Sequence, residues 1–563
     1  MIIKEESLDE SMSGDTKEKT GEQSWEEITQ AINTNLDADV NQAGQKLDKL
    51  ERLVQERKAK PNARHRQNQR QVPPPRISEE WHELQEENIF ENPLMRKLQR
   101  SFLSIKSPLR LRLLSLAIFP KNSIIKRRSL IYWWIGEGLV SQRGDKTAEQ
   151  VGEEVYDELL KEGLIEPDDN DPSPLMNRCK MNPLIRYMLM LVAEAAGFFY
   201  FPSKNEMSPE NEMSPGLETL QKCSLSSSHL RLLEGAADDP QDKHLAKNED
   251  VRTVFNVNQQ YLSLQHHSLS DMKKLVVLQL GRWQHSPMYH IEVDNQKFLD
   301  ELGVHHKHLK FLSLRGISRI TSLPDSIVQL VNLEILDLRA CHNLEKLPED
   351  IASLKKLTHL DVSECYLIER MPKGTEKLAS LQVLKGFVIG TARKNPCRIS
   401  DLRKLTKLRR LSIYIGRGAA RWEEQFAPLK EVTSLRSLTI SWGVTSPELP
   451  SRPEMNPFLP QQLEKLELIG IPEASISKWL NPQELKNLKK LYIIGGKLAS
   501  WDHQQQNEQW SVEILRLKHL KEFRIGNKED VLKKFPRLGY FERSKCGDDD
   551  IVWYKRRVGE KGF

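Results

Sequence analysis

With 563 residues the chain has room for roughly two to four domains, each large enough to bury its own core. Apolar residues at 38% and charged residues at 29% fit folded domains in water and exclude a mostly disordered or membrane-embedded chain. A net charge of +5 is too small for this mass to support a global attraction to nucleic acid or anionic lipid.

Six cysteines without a Cys-x-x-Cys pair argue against a disulfide framework and against zinc, and fit a reducing compartment. The first 23 residues contain no apolar run of the kind a secretory signal needs. The most apolar stretch, Leu184 to Phe201, carries Arg186 and Glu194 and reads as a buried helix, not a membrane span. A cytoplasmic protein is expected.

In chain order, residues 1–92 are expected to be mostly disordered, acidic first and basic later. Within them Trp25, Ile28, Ile32, Leu36, Val40, Leu47, Leu50 and Val54 recur at helical spacing, which predicts a helical segment over about 24–58. Residues 57–76 contain no acidic side chain and end in Pro73, Pro74 and Pro75. A flexible basic linker is the plain reading; a nuclear-import or RNA-contacting segment is the alternative.

Residues 93–201 read as a compact helical domain. A turn at Phe119-Pro120 precedes an apolar helix that contains Tyr132, Trp133 and Trp134, with Gly138 at its C-cap. Thr147 and Gln150 form a capping box that opens the next helix, with Val151, Val155 and Leu159 on its inner face. Asn182 and Pro183 suit the start of a third helix. Helices followed by a short extended excursion suggest a winged helix.

Residues 202–260 are expected to be a linker and repeat cap, 261–545 the repeats, and 546–563 a tail. The repeat template is Leu-x-x-Leu-x-Leu, seen at Leu309, Leu312 and Leu314, again at Leu333, Leu336 and Leu338, and again at Leu357, Leu360 and Val362. These units start 24 residues apart, and looser copies start at Leu275, Leu381, Leu408, Leu435, Leu463, Leu488 and Leu520. Each unit is one strand and a return segment that cannot bury its own apolar face. Stacking the units creates a leucine core and a parallel sheet along an inner curve. The expected fold is therefore an α/β leucine-rich-repeat solenoid, a horseshoe, preceded by an all-α winged-helix domain and a largely disordered N-terminal region.

Alternation places the template's intervening residues on the concave side. The candidate protein-binding residues there are Phe311, Arg315, Asp337, Arg339, His359, Arg410, Tyr414, Lys465, Lys490, Tyr492 and Arg524, with Trp442 beside them at a strand end. Arg, Tyr and Trp are frequent interface anchors. Cys341 and Cys365 fall in register with the repeat and read as structural. His305, His306 and His308 read as loop histidines without carboxylate or thiol company. No nucleophile–base pair or metal cluster is evident, so no enzyme, metal or cofactor is expected.

The segment Leu109 to Val140, with its Phe-Pro turn and its IYWWIGEGLV run, resembles the winged-helix region of plant coiled-coil nucleotide-binding leucine-rich-repeat immune receptors. The likeness continues through the repeats. The stretch Leu381 to Ile413 is similar to the HopZ-activated resistance protein type. The family's switch needs a glycine-rich phosphate loop, and no Gly-x-x-x-x-Gly-Lys-Ser/Thr string occurs in these residues. The family's Met-His-Asp motif, whose histidine contacts nucleotide, corresponds here to Met181, Asn182 and Pro183. Fewer than 95 residues precede the winged helix, fewer than the family's coiled-coil and nucleotide-binding domains occupy.

The resemblance therefore implies a defence protein without its own nucleotide switch. Its repeats would bind a pathogen effector or a host target such as a kinase-like protein, as a decoy, adaptor or partner of a full-length receptor. Without the family's neighbouring domain, the face carrying Trp133 and Trp134 is expected to be exposed. The competing readings are a winged-helix DNA-binding regulator and a repeat-based substrate adaptor. Paired tryptophans on the helix offered to DNA tell against the first, and the lack of an F-box-like segment against the second.

Overall fold

The computed structural model describes residues between Phe102 and Tyr554, with interruptions of which the longest are 196–229, 234–250, 417–425, 444–458 and 500–508. The expectations for residues 1–92, including the helical segment near 24–58, lie outside the described residues, as does Arg524.

The winged-helix domain is built from α1 (Ser107–Ser115), α2 (Arg127–Glu137), α3 (Ala148–Lys161) and α4 (Pro183–Ala195). Sequence-local chemistry sets their ends. Gly138 stops α2 in a left-handed conformation at φ 77°. Thr147 and Gln150 cap α3 reciprocally. Asn182 Oδ1 accepts from the Leu184 amide at 2.9 Å and opens α4. The extended excursion is a three-stranded antiparallel sheet, in the order β1 (Ile125–Lys126), β3 (Arg178–Lys180), β2 (Glu166–Pro167). This small wing accompanies helices that composition alone presented as all-α.

The repeats form one 14-stranded sheet. Its strands pair in parallel in chain order, except the last, Ile551–Tyr554, which turns back antiparallel on Tyr540–Ser544. Leu312, Leu336, Leu360 and Leu384 stand in one register line across adjacent strands. They are essentially inaccessible, as are Leu309, Leu333 and Leu357 one turn earlier. On the outer side, short 3-10 turns such as Asp325–Gln329 and Glu349–Ser353 close each repeat and contribute Ile327 and Ile351 to the core. Cys341 and Cys365 are buried thiols that donate to the carbonyls of Leu314 and Leu338, each at 3.1 Å. Each cysteine thus ties its turn to the repeat before it.

Three expectations change. The sheet extends beyond residues 261–545, starting at Leu230–Leu233 and Thr253–Asn256 and ending at Ile551–Tyr554. The copy read from Leu520 is displaced: the strands are Ile514–Lys518 and Tyr540–Ser544, with Leu515, Leu517 and Phe541 in the core. His306 is not an exposed loop histidine. It caps the helix Lys297–His305 and is fully buried, and that burial, reinforced by His305, pushes its pKa down to about 4.

Candidate functional site

The inner face of the repeats is not open. The winged-helix domain sits on it, and the candidate residues divide by what the domain does to them.

At the N-terminal end the contact is apolar. Trp133 and Trp134 are 3% and 0% exposed, which overturns the exposed face expected for them. Trp133 lies 5.2 Å from the Phe255 ring, and Phe119 packs on Trp133, Phe255 and Trp283 at 5.9, 5.8 and 4.9 Å. Trp134 instead turns inward and donates to Ser115 Oγ at 2.9 Å. Gly136 faces the repeat residue Phe311; a Cβ there would lie 2.5 Å from the Phe311 Cβ, so only glycine lets α2 approach this closely. Glu137 is buried at the same seam. Burial raises its pKa, opposed by donors from Thr253 Oγ1 at 2.6 Å and Trp133 Nε1 at 3.0 Å.

The middle of the contact is polar. Glu149, in the first turn of α3, reaches the inner face with its side chain only 12% exposed. Its Oε1 accepts from Arg410 Nη1 at 2.8 Å and lies 3.1 Å from His359 Nε2. Arg410 also donates to Tyr132 Oη at 3.3 Å, and the Tyr132 and His359 rings meet at 4.5 Å. Burial alone would raise the Glu149 pKa; the Arg410 charge and the His359 bond instead hold its carboxyl far below the usual carboxylate range.

Toward the C-terminal end, Leu175 packs against Tyr492, Ile514 and Tyr540. Arg516 lies over both Tyr492 and Tyr540, at 5.1 and 5.4 Å from the ring centres, and Lys465 lies 4.6 Å from Tyr492. Burial lowers the pKa of Lys490, and its neighbour Lys465 lowers it further.

Phe311, Arg315, His359 and Tyr492 are accordingly buried, and Arg410 is engaged by Glu149. Asp337 and Arg339 are half-buried; Arg339 Nε donates to Glu364 at 3.1 Å. Tyr414 meets the edge of Tyr366, whose ring is 58% exposed and stacks on His342 at 5.9 Å. Trp442 is a correction. Strict alternation along Ser437–Trp442 sends it inward with Leu438 and Ile440, and it joins the core 6% exposed.

Sequence reading missed the covering domain and one side-chain cluster. Glu376, Cys397 and Asp401 place one ligand atom each within 4.8 Å of one another. Their carboxylates already serve the local turns: Glu376 accepts from the Gly374 amide at 2.8 Å, and Asp401 from the Arg398 amide at 3.0 Å and Lys373 at 2.9 Å. Cys397 is pushed up to about 12 by burial and these two acids, and stays a thiol. The signals for the covered face were Gly136 inside a helix, and a helix that is apolar on nearly every side.

Comparison with known proteins follows the same two parts. The family description "Leucine-rich repeat region" matches residues 250–544, and "Disease resistance protein Winged helix domain" matches residues 118–189. The chain belongs to the leucine-rich-repeat proteins. Its winged helix is similar to that of disease resistance proteins. Disease resistance RPP13-like protein 4 of Arabidopsis thaliana is 28% identical over 79% of this chain and 49% of its own length. Probable disease resistance RPP8-like protein 4, also of Arabidopsis thaliana, is 24% identical over 68% of this chain and 38% of its own length. The chain thus spans about half or less of the length of these disease resistance relatives. Among solved structures, the ectodomain of the Arabidopsis receptor kinase HAESA, bound to an extended IDA peptide hormone, covers 48% of this chain and 47% of its own at 17% identity, with a TM-score of 0.28. Among the described residues, no helix is long and apolar enough to cross a membrane.

Proposed function

We propose that this chain is a non-enzymatic plant defence protein whose repeat face binds protein, holding its own winged-helix domain until a pathogen effector or a host target such as a kinase-like protein competes for that face. The grip of Arg410 and His359 on Glu149 carries this reading, because it is a charge-assisted, part-buried recognition of one folded surface by another. Tyr414, Lys465 and Lys490 lie further along the same face and are the residues through which a competitor would enter. The likeness of Leu381 to Ile413 supports placing the chain with the HopZ-activated resistance type. Asn182, capping α4 where the family has histidine, supports the absence of a nucleotide switch in this chain, leaving it a decoy, adaptor or partner of a full-length receptor. A cytoplasmic site of action fits, with nuclear entry through residues 57–76 as the alternative.

DNA binding is disfavoured because the helix that would enter the groove buries Trp133 and Trp134 within the protein. The test is a binding panel of secreted pathogen effectors and host kinase-like proteins against the full chain. Glu149→Gln should tighten a true partner by freeing the face, since apparent affinity scales with the competent fraction. Lys465→Glu with Lys490→Glu should weaken it at least tenfold. A partner indifferent to both changes, or saturable magnesium-dependent ATP binding by the chain, would sink the proposal.

A further inference from the structure

Toward its C-terminal end the inner face carries three register lines across adjacent strands. The first holds Lys465, Lys490 and Ile514, the second Glu467, Tyr492 and Arg516, and the third Ile469, Ile494 and Lys518. Lys465 and Lys490 are thus direct neighbours on parallel strands, about 4.8 Å apart along the sheet. Like charges placed so cost stability. A third cation comes from the winged helix. Arg128 stands exposed in the first turn of α2, where the helix dipole disfavours positive charge. It is close enough for its charge to act on Lys465, Lys490 and Tyr492.

Most of the nearby acids are already engaged. Glu467 accepts from Lys465 at 2.7 Å, Glu542 holds Arg516 at 3.1 Å and also Lys518, and Glu153 pairs with Arg127. Glu464 is exposed, and its charge also reaches Lys490. Lys490 and Arg128 themselves form no hydrogen bond or ion pair among the described residues. Lys490 is half-buried, and so are Ile469 and Ile494, so positive charge and aliphatic surface lie side by side. Burial and then Lys465 lower the Lys490 pKa, a cost that an added carboxylate offsets. Two local rules are broken in one place, a lysine beside a lysine and an arginine at a helix start, with no gain in folding. Function is the usual reason for such a break.

We propose that Lys490, flanked by Lys465 and Arg128, receives an acidic extended segment of a protein partner, its carboxylates on these cations and an apolar side chain against Ile469 and Ile494. This inference rests on the proposed function above and names the chemistry of the segment that competes for the face. An extended chain sets residues i and i+2 about 6.6 Å apart on one side, a span that two neighbouring lysine stems can follow. Ammonium groups on flexible stems select charge without demanding one geometry. The surroundings favour a single polypeptide strand. Leu175 of the winged-helix domain packs on Tyr492, Ile514 and Tyr540 beside the lysines, which hinders a duplex or a bilayer from lying flat there.

The experiment uses the full chain and a fluorescein-labelled peptide, Gly-Glu-Leu-Glu-Leu-Glu-Gly, with counterparts carrying Gln or Lys in place of Glu. The acidic peptide should bind saturably and weaken as ionic strength rises, and the Gln peptide should not bind. Lys490→Glu should cost roughly tenfold in affinity for the acidic peptide. The same variant should keep its Tm or raise it, because the like-charge pair is gone, and should gain binding of the Lys peptide, which no unfolded variant could do. Arg128→Gln should weaken the acidic peptide by a smaller factor. No charge-dependent binding by the unsubstituted protein, binding undiminished in either variant, or tighter binding of a short DNA duplex or of phosphatidylserine vesicles overturns the inference. The readout needs no effector or host target. A panel without a partner therefore sinks the proposed function alone, and an unbound peptide beside a panel partner sinks this inference alone.

Discussion

Glu149 gathers two partners on one oxygen, and its sequence neighbours give no hint of either. Arg410 lies 261 residues away and His359 lies 210. Glutamine keeps an acceptor oxygen for Arg410 but removes the charge, so Glu149→Gln should lower stability by about 2–3 kcal/mol, the usual cost of losing a charge-assisted bond. A thermodynamic cycle with Arg410→Met checks this: the double variant should lose less than the two single losses added together. Two buried groups, both with depressed folded pKa values, give the pH dependence. Glu149 has its folded pKa depressed, so its contribution is complete above its ordinary value of 4.5 and is lost as pH falls below it. His306 is a base held neutral, so its unfolded form takes up a proton first. Stability falls by up to about 3 kcal/mol as pH drops from 6.5 toward 4. His306→Phe should flatten that part of a urea-melt pH profile; an unchanged acid limb would remove His306 from this role.

At the scale of elements, the turns after the strands Phe311–Ser313, Ile335–Asp337 and His359–Asp361 repeat a left-handed position. Gly316, Ala340 and Glu364 occupy it at φ 75°, 60° and 65°. Alanine is strained there and glycine is not. Ala340→Gly should therefore gain up to about 1 kcal/mol in chemical denaturation, the reverse of the usual effect of inserting glycine. Gly136 makes the opposite case. In an isolated α2, alanine would add about 1 kcal/mol of helix propensity. Against Phe311 there is no room for it, so Gly136→Ala should loosen the domain contact, seen as faster amide exchange in α2 and in strand Phe311–Ser313. Phe311→Ala in the same chain should restore protection in α2. If Gly136→Ala alone is silent, α2 does not rest on the sheet as described.

For the whole molecule, stability is a sum over stacked repeats with a domain laid along their inner side. Each repeat contacts mainly its neighbours, so a core truncation such as Leu336→Ala, at a fully enclosed site, should cost about 2–5 kcal/mol. The exchange it causes should spread to adjacent strands and fade with distance. The winged-helix contact behaves differently. It joins the ends of the array through separate apolar and charged patches, so salt should weaken its middle more than its Trp133–Phe255 end. Salt-dependent exchange in α3, with α2 unaffected, is the expected pattern.

The repeats were legible because their rule is local and recurs. A 24-residue period with leucine at fixed spacing forces a parallel sheet, and alternation assigns each side chain to core or face, which also explains Trp442 once the alternation is followed to the strand's end. The helix caps at Gly138, Thr147 and Asn182 were legible for the same reason, since each depends on residues two to four positions away. The covering of the face was not. Glu149, Gly136 and Leu175 meet their partners only after the chain has folded back over 150 residues or more, and no period marks such pairs. Sequence determined that the repeats stack into a sheet and which strand positions alternate toward its inner side; tertiary structure decided what already lies on that side, because that depends on the shape and charge match of two finished surfaces.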